Sequence, residues 1–238
     1  EKDPDALKSA TQPGLLEKLT QSNATLAAAQ KRVEDHLETK RAAFPRFCFL
    51  SNDELLEILA QARSPQAVQP HLIKCFDCIK KLEFSEIDKY LVNGMVSSEG
   101  ESIPLYKALK CRGPVEEWLG KVEEYMQVTL HKALKEALQD APEVPSQRLA
   151  WCRRHPSQMV LTAAQVEWSD ACTAAFNAAE PSDRVDALGE VLEVCRSQLS
   201  DLATEVSGPL DRLLRRTLVA LITSDVHARD ITETMHLA

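Results

Sequence analysis

Glycine and aromatic residues are scarce in this chain of 238 residues, which contains seven glycines and 5% aromatic side chains. Few glycines, combined with abundant Leu, Ala, Glu and Lys, favour helices because these side chains lose little conformational freedom in a helix. No apolar run approaches the roughly 20 residues that a membrane-spanning helix needs, so we expect no membrane insertion. The chain begins at Glu1 without a signal-peptide pattern, and we expect it to be part of a longer protein.

An excess of positive charge is also missing. The sequence contains 28 basic and 36 acidic residues, a net charge of −8, which argues against nucleic acid as a partner. One small basic cluster consists of Arg212, Arg215 and Arg216. It could contact an acidic partner, although such a cluster is more often a solvated face of a helix.

Sequence motifs for catalysis and nucleotide binding are absent as well. There is no phosphate-binding GxxxxGK[ST] loop, no glycine-rich dinucleotide fingerprint and no GxSxG turn. The histidines are dispersed and form no HExxH pair. We therefore predict no catalytic, cofactor-binding or metal-binding residue. An unrecognised enzyme would need a pocket that combines groups such as Cys111, His131 and Glu123.

The seven cysteines follow no disulfide framework, as expected for reduced thiols. Cys75 and Cys78 form a single CxxC motif, and no second Cys/His pair completes a zinc site. We expect this motif to lie within a helix, with its thiols buried or half-buried.

The most informative segment of the chain is residues 43–59, where aromatic residues and a proline precede a capped helix. Ser51 suits the N-cap and Glu54 the N3 position of a capping box, while Leu50 and Leu55 fit a hydrophobic staple. These features predict a rigid structural corner formed by Phe44, Pro45, Arg46, Phe47, Phe49, Leu50, Ser51 and Glu54. The rings of Phe44, Phe47 and Phe49 either belong to the core or provide exposed contacts.

Hydrophobic periodicity predicts helices over most of the remaining sequence. Six helices are expected at residues 14–41, 51–61, 64–82, 113–139, 149–154 and 156–176. A seventh is capped by Ser182 and has an apolar face from Val185 to Leu202. An eighth begins at Gly208 and continues through Leu221. We expect residues 225–238 to continue the last helix, with or without a kink.

Residues 90–106 have a different pattern, in which apolar residues flank the polar tip Ser97–Glu101. This pattern predicts a β-hairpin whose second strand is an edge strand, because Pro104 cannot donate a backbone hydrogen bond. The predicted fold class is mainly α, an elongated array of helical bundles with one small β-hairpin. The predicted division is a first helical bundle at 1–84, a β-hairpin insertion at 85–112 and a second helical bundle at 113–238.

The string KRAAFPRFCFLSNDELLEIL at residues 40–59 closely resembles the linker region of dynein heavy chains, especially the axonemal branch. Similarity extends over most of the chain, including residues 64–84, the hairpin segment 95–101, the helix from Val115, and residues 156–169 and 223–231. Residues 170–205 match more weakly. Cys48 and Ser157 also depart from the family, which usually has a larger aromatic residue and a glycine at these positions.

The resemblance implies that this chain forms the middle and ring-proximal part of a linker, N-terminal to the first AAA+ module. In that family the linker is a helical arch that swings across the AAA+ ring as ATP is hydrolysed elsewhere, and so drives microtubule-based ciliary movement. ATP and Mg²⁺ are implied for the full-length motor only. The implied partners are the ring of the same heavy chain and other dynein subunits, with microtubules contacted through distant parts. The implied location is the axoneme of a cilium or flagellum.

Two hypotheses about contacts follow. The polar hairpin tip, Ser98, Glu99, Gly100 and Glu101, is the candidate for contact with the ring, together with exposed members of the corner. The alternative to a motor role is a helical scaffold that binds a partner helix in a groove.

Overall fold

The structure, a computed structural model, describes residues 11–61, 64–142, 144–178 and 180–237. Within these residues the chain forms eight α-helices and a three-stranded antiparallel sheet. In chain order the elements are α1 (Leu15–Ala43), α2 (Asn52–Ala60), α3 (Leu72–Cys75), β1 (Ile79–Phe84), β2 (Leu91–Ser97), β3 (Ser102–Lys110), α4 (Val115–Gln139), α5 (Arg148–Arg154), α6 (Ser157–Phe176), α7 (Pro181–Val206) and α8 (Arg212–Leu237). None of the helices in the described part is both long and apolar enough to cross a bilayer.

The predicted fold class, mainly α with a small β element, is confirmed. Glycine and proline mark several helix starts as predicted: α1 follows Gly14, α4 follows Gly113 and Pro114, and α6 follows Pro156. Gly113 has φ 93°, a left-handed conformation that favours glycine, and it sets the direction in which the chain enters α4.

The predicted helix at 64–82 is wrong. This segment forms a 3₁₀ helix at Pro65–His71, the short helix α3 and then strand β1. Pro70 lacks the N–H that an α-helix would use, and β1 instead forms hydrogen bonds with β2. The CxxC motif consequently does not lie within a helix, because Cys75 ends α3 and Cys78 lies in the turn before β1.

Two predicted helix starts also require correction. The N-cap of α7 is Glu180 rather than Ser182, with Pro181 in the first turn. Helix α8 begins at Arg212 rather than near Gly208, because Asp211 accepts a hydrogen bond from the N–H of Leu214 at 2.9 Å. The same helix continues to Leu237, so the expected continuation through the C-terminal segment is confirmed.

The sheet order is β1-β2-β3, and protein side chains bind backbone groups of both edge strands. Gln69 accepts a hydrogen bond from the N–H of Leu82 in β1 at 3.0 Å and donates to its carbonyl at 2.8 Å. In β3, the N–H of Tyr106 donates to Thr129 Oγ1 on α4 at 3.1 Å. These contacts protect strand edges from pairing with another chain.

Two hydrophobic cores share helix α4. The first core contains the end of α1, the aromatic corner, the sheet and the first half of α4, with Trp118 fully buried. The second contains the last part of α4 and helices α5–α8, with Trp151 fully buried. Leu130, near the middle of α4, packs against both cores. The division into three parts at 84 and 112 stays a prediction.

Candidate contact surfaces at the aromatic corner and the hairpin tip

The aromatic corner begins where α1 ends. Phe44 leaves the helix in an extended conformation, and a 3₁₀ turn follows at Pro45–Phe49. The rings of Phe44 and Phe47 pack edge to face with centroids 5.0 Å apart, and Phe44 also contacts Phe76. Both corner rings are buried. Two of the three predicted aromatic residues therefore belong to the first core.

Phe49 differs from the other two rings. It is 68% exposed, although Leu50 beside it is buried. The 3₁₀ turn that carries Phe49 is held by its buried neighbours, so the position of this exposed ring is fixed. Of the three aromatic residues in the corner, Phe49 is therefore the one that can contact another surface.

Arg46 connects the corner to the rest of the first core. Its guanidinium donates to the carbonyl of Cys75 at 3.0 Å and to Glu123 Oε1 at 2.9 Å. It also lies over the ring of Phe76, with the carbon 5.0 Å from the ring centroid. One side chain thus joins the corner to α3 and α4.

The capping box predicted at the start of α2 is present. The N–H of Glu54 donates to Ser51 Oγ at 3.3 Å, and the N–H of Ser51 donates to Glu54 Oε2 at 3.0 Å. Lys74 donates to the other oxygen of Glu54. The hydrogen bond from Lys74, followed by that from the backbone of Ser51, lowers the pKa of Glu54 to about 2.

The hairpin tip turns between β2 and β3 around Ser97. Its hydroxyl accepts hydrogen bonds from the N–H groups of Glu99 and Glu101, at 3.3 and 3.1 Å. Gly100 has φ 95°, a conformation that most other residues adopt only with strain. The tip is therefore an ordered turn rather than a loose loop.

Two of the four predicted tip residues bind the second core. Glu101 Oε1 accepts hydrogen bonds from the N–H and the hydroxyl of Ser157, at 2.8 and 2.9 Å. Glu99 Oε1 accepts one from Arg216 at 2.7 Å. Ser98 and Gly100 are exposed. The structure thus separates the predicted set into two residues with partners in the second core and two on the surface.

No local sequence pattern indicates the partners of the tip, because they are distant in the chain. Ser157 Oγ lies 2.6 Å from Thr217 Oγ1, so the tip, α6 and α8 share one hydrogen-bond network. Arg216 belonged to the basic cluster, and its ion pair with Glu99 spans 117 positions of sequence. Arg215 of the same cluster donates to the carbonyls of Val206 and Gly208. Two of the three arginines therefore make contacts within the chain.

The residues considered for an enzyme do not form a reactive site. Burial raises the pKa of the Cys111 thiol to about 12, which disfavours the thiolate that a nucleophile needs. Glu123 binds Arg46, and His131 is exposed. In the described ranges, no group of three or more His, Cys, Asp or Glu side chains is placed to hold a metal ion.

The second core contains a buried ion pair beside an open surface groove. Arg148 binds Asp225, with the closest nitrogen and oxygen 2.5 Å apart. The groove has a volume of about 540 Å³ and lies between α6, α7 and α8. Its lining combines this pair with Trp168 and several small side chains, among them Ala171, Ala174, Val191 and Val194.

Comparison with known proteins places these features in a wider context. Residues 1–137 match the family described as "Dynein heavy chain, N-terminal region 2". The chain is 49% identical to "Dynein axonemal heavy chain 6" of Homo sapiens over 96% of its length, and 42% identical to "Dynein axonemal heavy chain 2" of Mus musculus over 99%. It is 38% identical, over 96% of its length, to "Dynein-1-beta heavy chain, flagellar inner arm I1 complex" of Chlamydomonas reinhardtii. The chain spans only 5–6% of the length of these relatives.

Proposed function

Because this chain belongs to the dynein heavy chain family and matches its axonemal members in their N-terminal region, we propose that it is a force-transmitting linker. In this proposal the two cores form part of a helical arch that lies across the AAA+ ring of the same heavy chain. ATP hydrolysis in the ring moves the arch, and the movement is delivered to microtubules. Catalysis, with ATP and Mg²⁺, takes place elsewhere in the heavy chain.

The observation that carries this proposal is the continuity of α4. This helix has 25 residues, and its two ends lie in different hydrophobic cores. At about 1.5 Å per residue it spans roughly 37 Å. An uninterrupted helix packed at both ends transmits displacement from one core to the other, whereas a glycine- or proline-rich joint would absorb it.

The proposed partners follow from the family. The ring of the same heavy chain is the principal partner, other dynein subunits are further ones, and distant parts of the chain bind the microtubule. We place the protein in the axoneme of a cilium or flagellum, and expect neither nucleic acid nor membrane as a partner. Phe49 and the exposed tip residues Ser98 and Gly100 are the proposed contacts with the ring, whereas Glu99 and Glu101 would first have to leave the second core.

Substitutions that weaken helix α4 test whether it transmits force between the cores. In a complete motor, we would replace the exposed residues Gln127 and His131 together by glycine, which costs about 1 kcal/mol of helix stability at each position. The matched control replaces both by alanine. We expect microtubule gliding to slow in the glycine variant while ATP turnover continues, and the alanine variant to behave as wild type. Unchanged gliding of the glycine variant would contradict the proposal.

The ring contact can be tested separately. Phe49→Ala removes the exposed ring, and Ile87→Ala, at a residue 99% exposed in the connection between β1 and β2, is the control. We expect Phe49→Ala alone to reduce gliding velocity relative to ATP turnover. Equal behaviour of the two variants would show that Phe49 is ordinary surface.

The open groove between α6, α7 and α8 favours one alternative, a helical scaffold that binds a partner helix. Ala171, Ala174, Val191 and Val194 line it, and such small apolar side chains allow a helix to approach closely. Ala174→Arg would obstruct the groove and abolish that binding. Under the linker function, the same substitution leaves gliding and ATP turnover unchanged.

A further inference from the structure

The two cores are joined at a second place besides α4. The hairpin tip extends from the sheet of the first core to α6 and α8 of the second. We call this contact the clasp and define it as Glu99, Glu101, Ser157, Arg216 and Thr217. None of these residues is needed for the continuity of α4, so the clasp is an independent connection.

Glu101 supplies something that α6 lacks. The N-cap of α6 is Pro156, which has no side-chain oxygen to accept a hydrogen bond from the first turn. The carboxylate of Glu101 accepts from the N–H of Ser157 at 2.8 Å in its place. A negative charge here is favoured by the unpaired N–H groups and by the helix dipole. A residue 56 positions earlier thus caps the helix from another core.

The clasp also includes α8. Ser157 Oγ donates to Glu101 and lies 2.6 Å from Thr217 Oγ1. Arg216, which precedes Thr217 in α8, forms an ion pair with Glu99. Both residues of this ion pair are about half exposed, so it contributes little alone, and the half-buried Glu101 network is the stronger part.

We propose that the clasp fixes the angle between the two cores, so that they move as one rigid body. A single shared helix transmits displacement along its axis, but it resists bending across that axis and rotation about it less strongly. A second attachment, placed away from that axis, opposes both motions. The mechanical consequence rests on the proposed linker function, but the rigidity itself does not.

Single-molecule energy transfer in the complete heavy chain tests the rigidity directly. Dyes would be attached to unnatural amino acids at two exposed positions, Lys107 in β3 and Asp170 in α6. Glu101→Ala removes the cap of α6, and Glu86→Ala, at an exposed residue between β1 and β2, is the matched control. We expect the distance distribution between the dyes to broaden and shift for Glu101→Ala and to stay unchanged for Glu86→Ala. An unchanged distribution for Glu101→Ala would overturn the proposal.

A charge exchange separates the clasp from a general folding defect. Arg216→Glu replaces a weak attraction to Glu99 by repulsion, so it should broaden the distribution, although less than Glu101→Ala does. Adding Glu99→Arg to it should restore the wild-type width. Arg212→Ala, at an exposed residue of the same helix, is the control. If the double variant remained as broad as Arg216→Glu, the direct contact would be refuted.

Gliding velocity and ATP turnover of the same variants distinguish the two proposals. A broad distribution with slow gliding and continuing ATP turnover supports both. A broad distribution with normal gliding supports the clasp and contradicts force transmission through this segment. A narrow distribution in Glu101→Ala refutes the clasp, whatever the gliding velocity, and leaves the linker function to the α4 test.

Discussion

The two cores of this molecule achieve order in different ways. The first combines a sheet with large interlocking side chains, among them Phe44, Phe47 and Trp118. The second consists of helices, includes several alanines, and holds a buried Arg148–Asp225 pair beside an open surface groove. Truncating a large buried ring leaves a void, whereas removing one partner of a buried ion pair leaves an uncompensated charge. The two cores should therefore respond differently to the same kind of substitution.

The largest effect is expected from volume loss in the first core. Phe47 is fully buried, so Phe47→Ala removes its packing against Phe44 and leaves a cavity. We expect it to lower the free energy of unfolding by about 3–5 kcal/mol. Phe49→Ala, two residues away but exposed, should change it by less than about 0.5 kcal/mol. Urea unfolding measures the free energy of unfolding of both variants, and similar losses would contradict the finding that Phe47 is buried while Phe49 is exposed.

In the second core, a comparable loss of stability is expected from removing one partner of the buried ion pair. Arg148→Met leaves the carboxylate of Asp225 without its buried partner, and we expect a loss of about 3–5 kcal/mol. The double variant Arg148→Met, Asp225→Leu removes both charges and should recover most or all of that loss. Urea unfolding of the single and double variants checks this. A double variant as unstable as the single one would mean that shape, rather than charge, determines stability here.

Much of the second core could be predicted from sequence, because α6, α7 and α8 are long and have an apolar periodicity, and Pro156 marks the start of α6. The first core was predicted less well. Residues 79–84 have no strong strand pattern of their own, and they form β1 because β2 and Gln69 supply hydrogen-bond partners. Pairing across the fold overrode local preference at this position.

The candidate contact surfaces show the same division. The capping box was predictable because its two residues, Ser51 and Glu54, are three positions apart. The burial of Phe44 and Phe47, in contrast to Phe49, depends on which way a 3₁₀ turn faces. The clasp joins residues 56 to 117 positions apart, and no local pattern indicates such a pairing.

A smaller effect is expected at the edge of the sheet. Gln69→Ala removes both hydrogen bonds to the backbone of Leu82, and we expect a loss of about 1–3 kcal/mol from the unpaired groups. Gln66→Ala, at an exposed residue of the same 3₁₀ helix, is the control and should have little effect. Hydrogen exchange at the amide of Leu82 should accelerate in Gln69→Ala only. Equal exchange in both variants would show that β1 does not depend on this contact.

The smallest effects compare two helix caps, a local one on α2 and a distant one on α6. Ser51→Ala removes the local cap and should cost about 1 kcal/mol. Glu54 adds a pH dependence, because Lys74 and the Ser51 backbone lower its pKa to about 2. The unfolded value is about 4.3. Its contribution is therefore present above about pH 4.3 and is lost as the pH falls towards 2.

Unfolding of Glu54→Gln and wild type across pH 2–7 measures this difference. We expect the wild type to be more stable at neutral pH and the two proteins to converge at the acid end. Glu101→Gln should instead show its effect in the angle between the cores, because that carboxylate caps a helix of the other core. If Glu54→Gln also altered the distance between the cores, the local cap would be mechanically coupled to the clasp. In that case Glu54 would not act only on its own helix, and the two caps could not be distinguished by their effect on the angle between the cores.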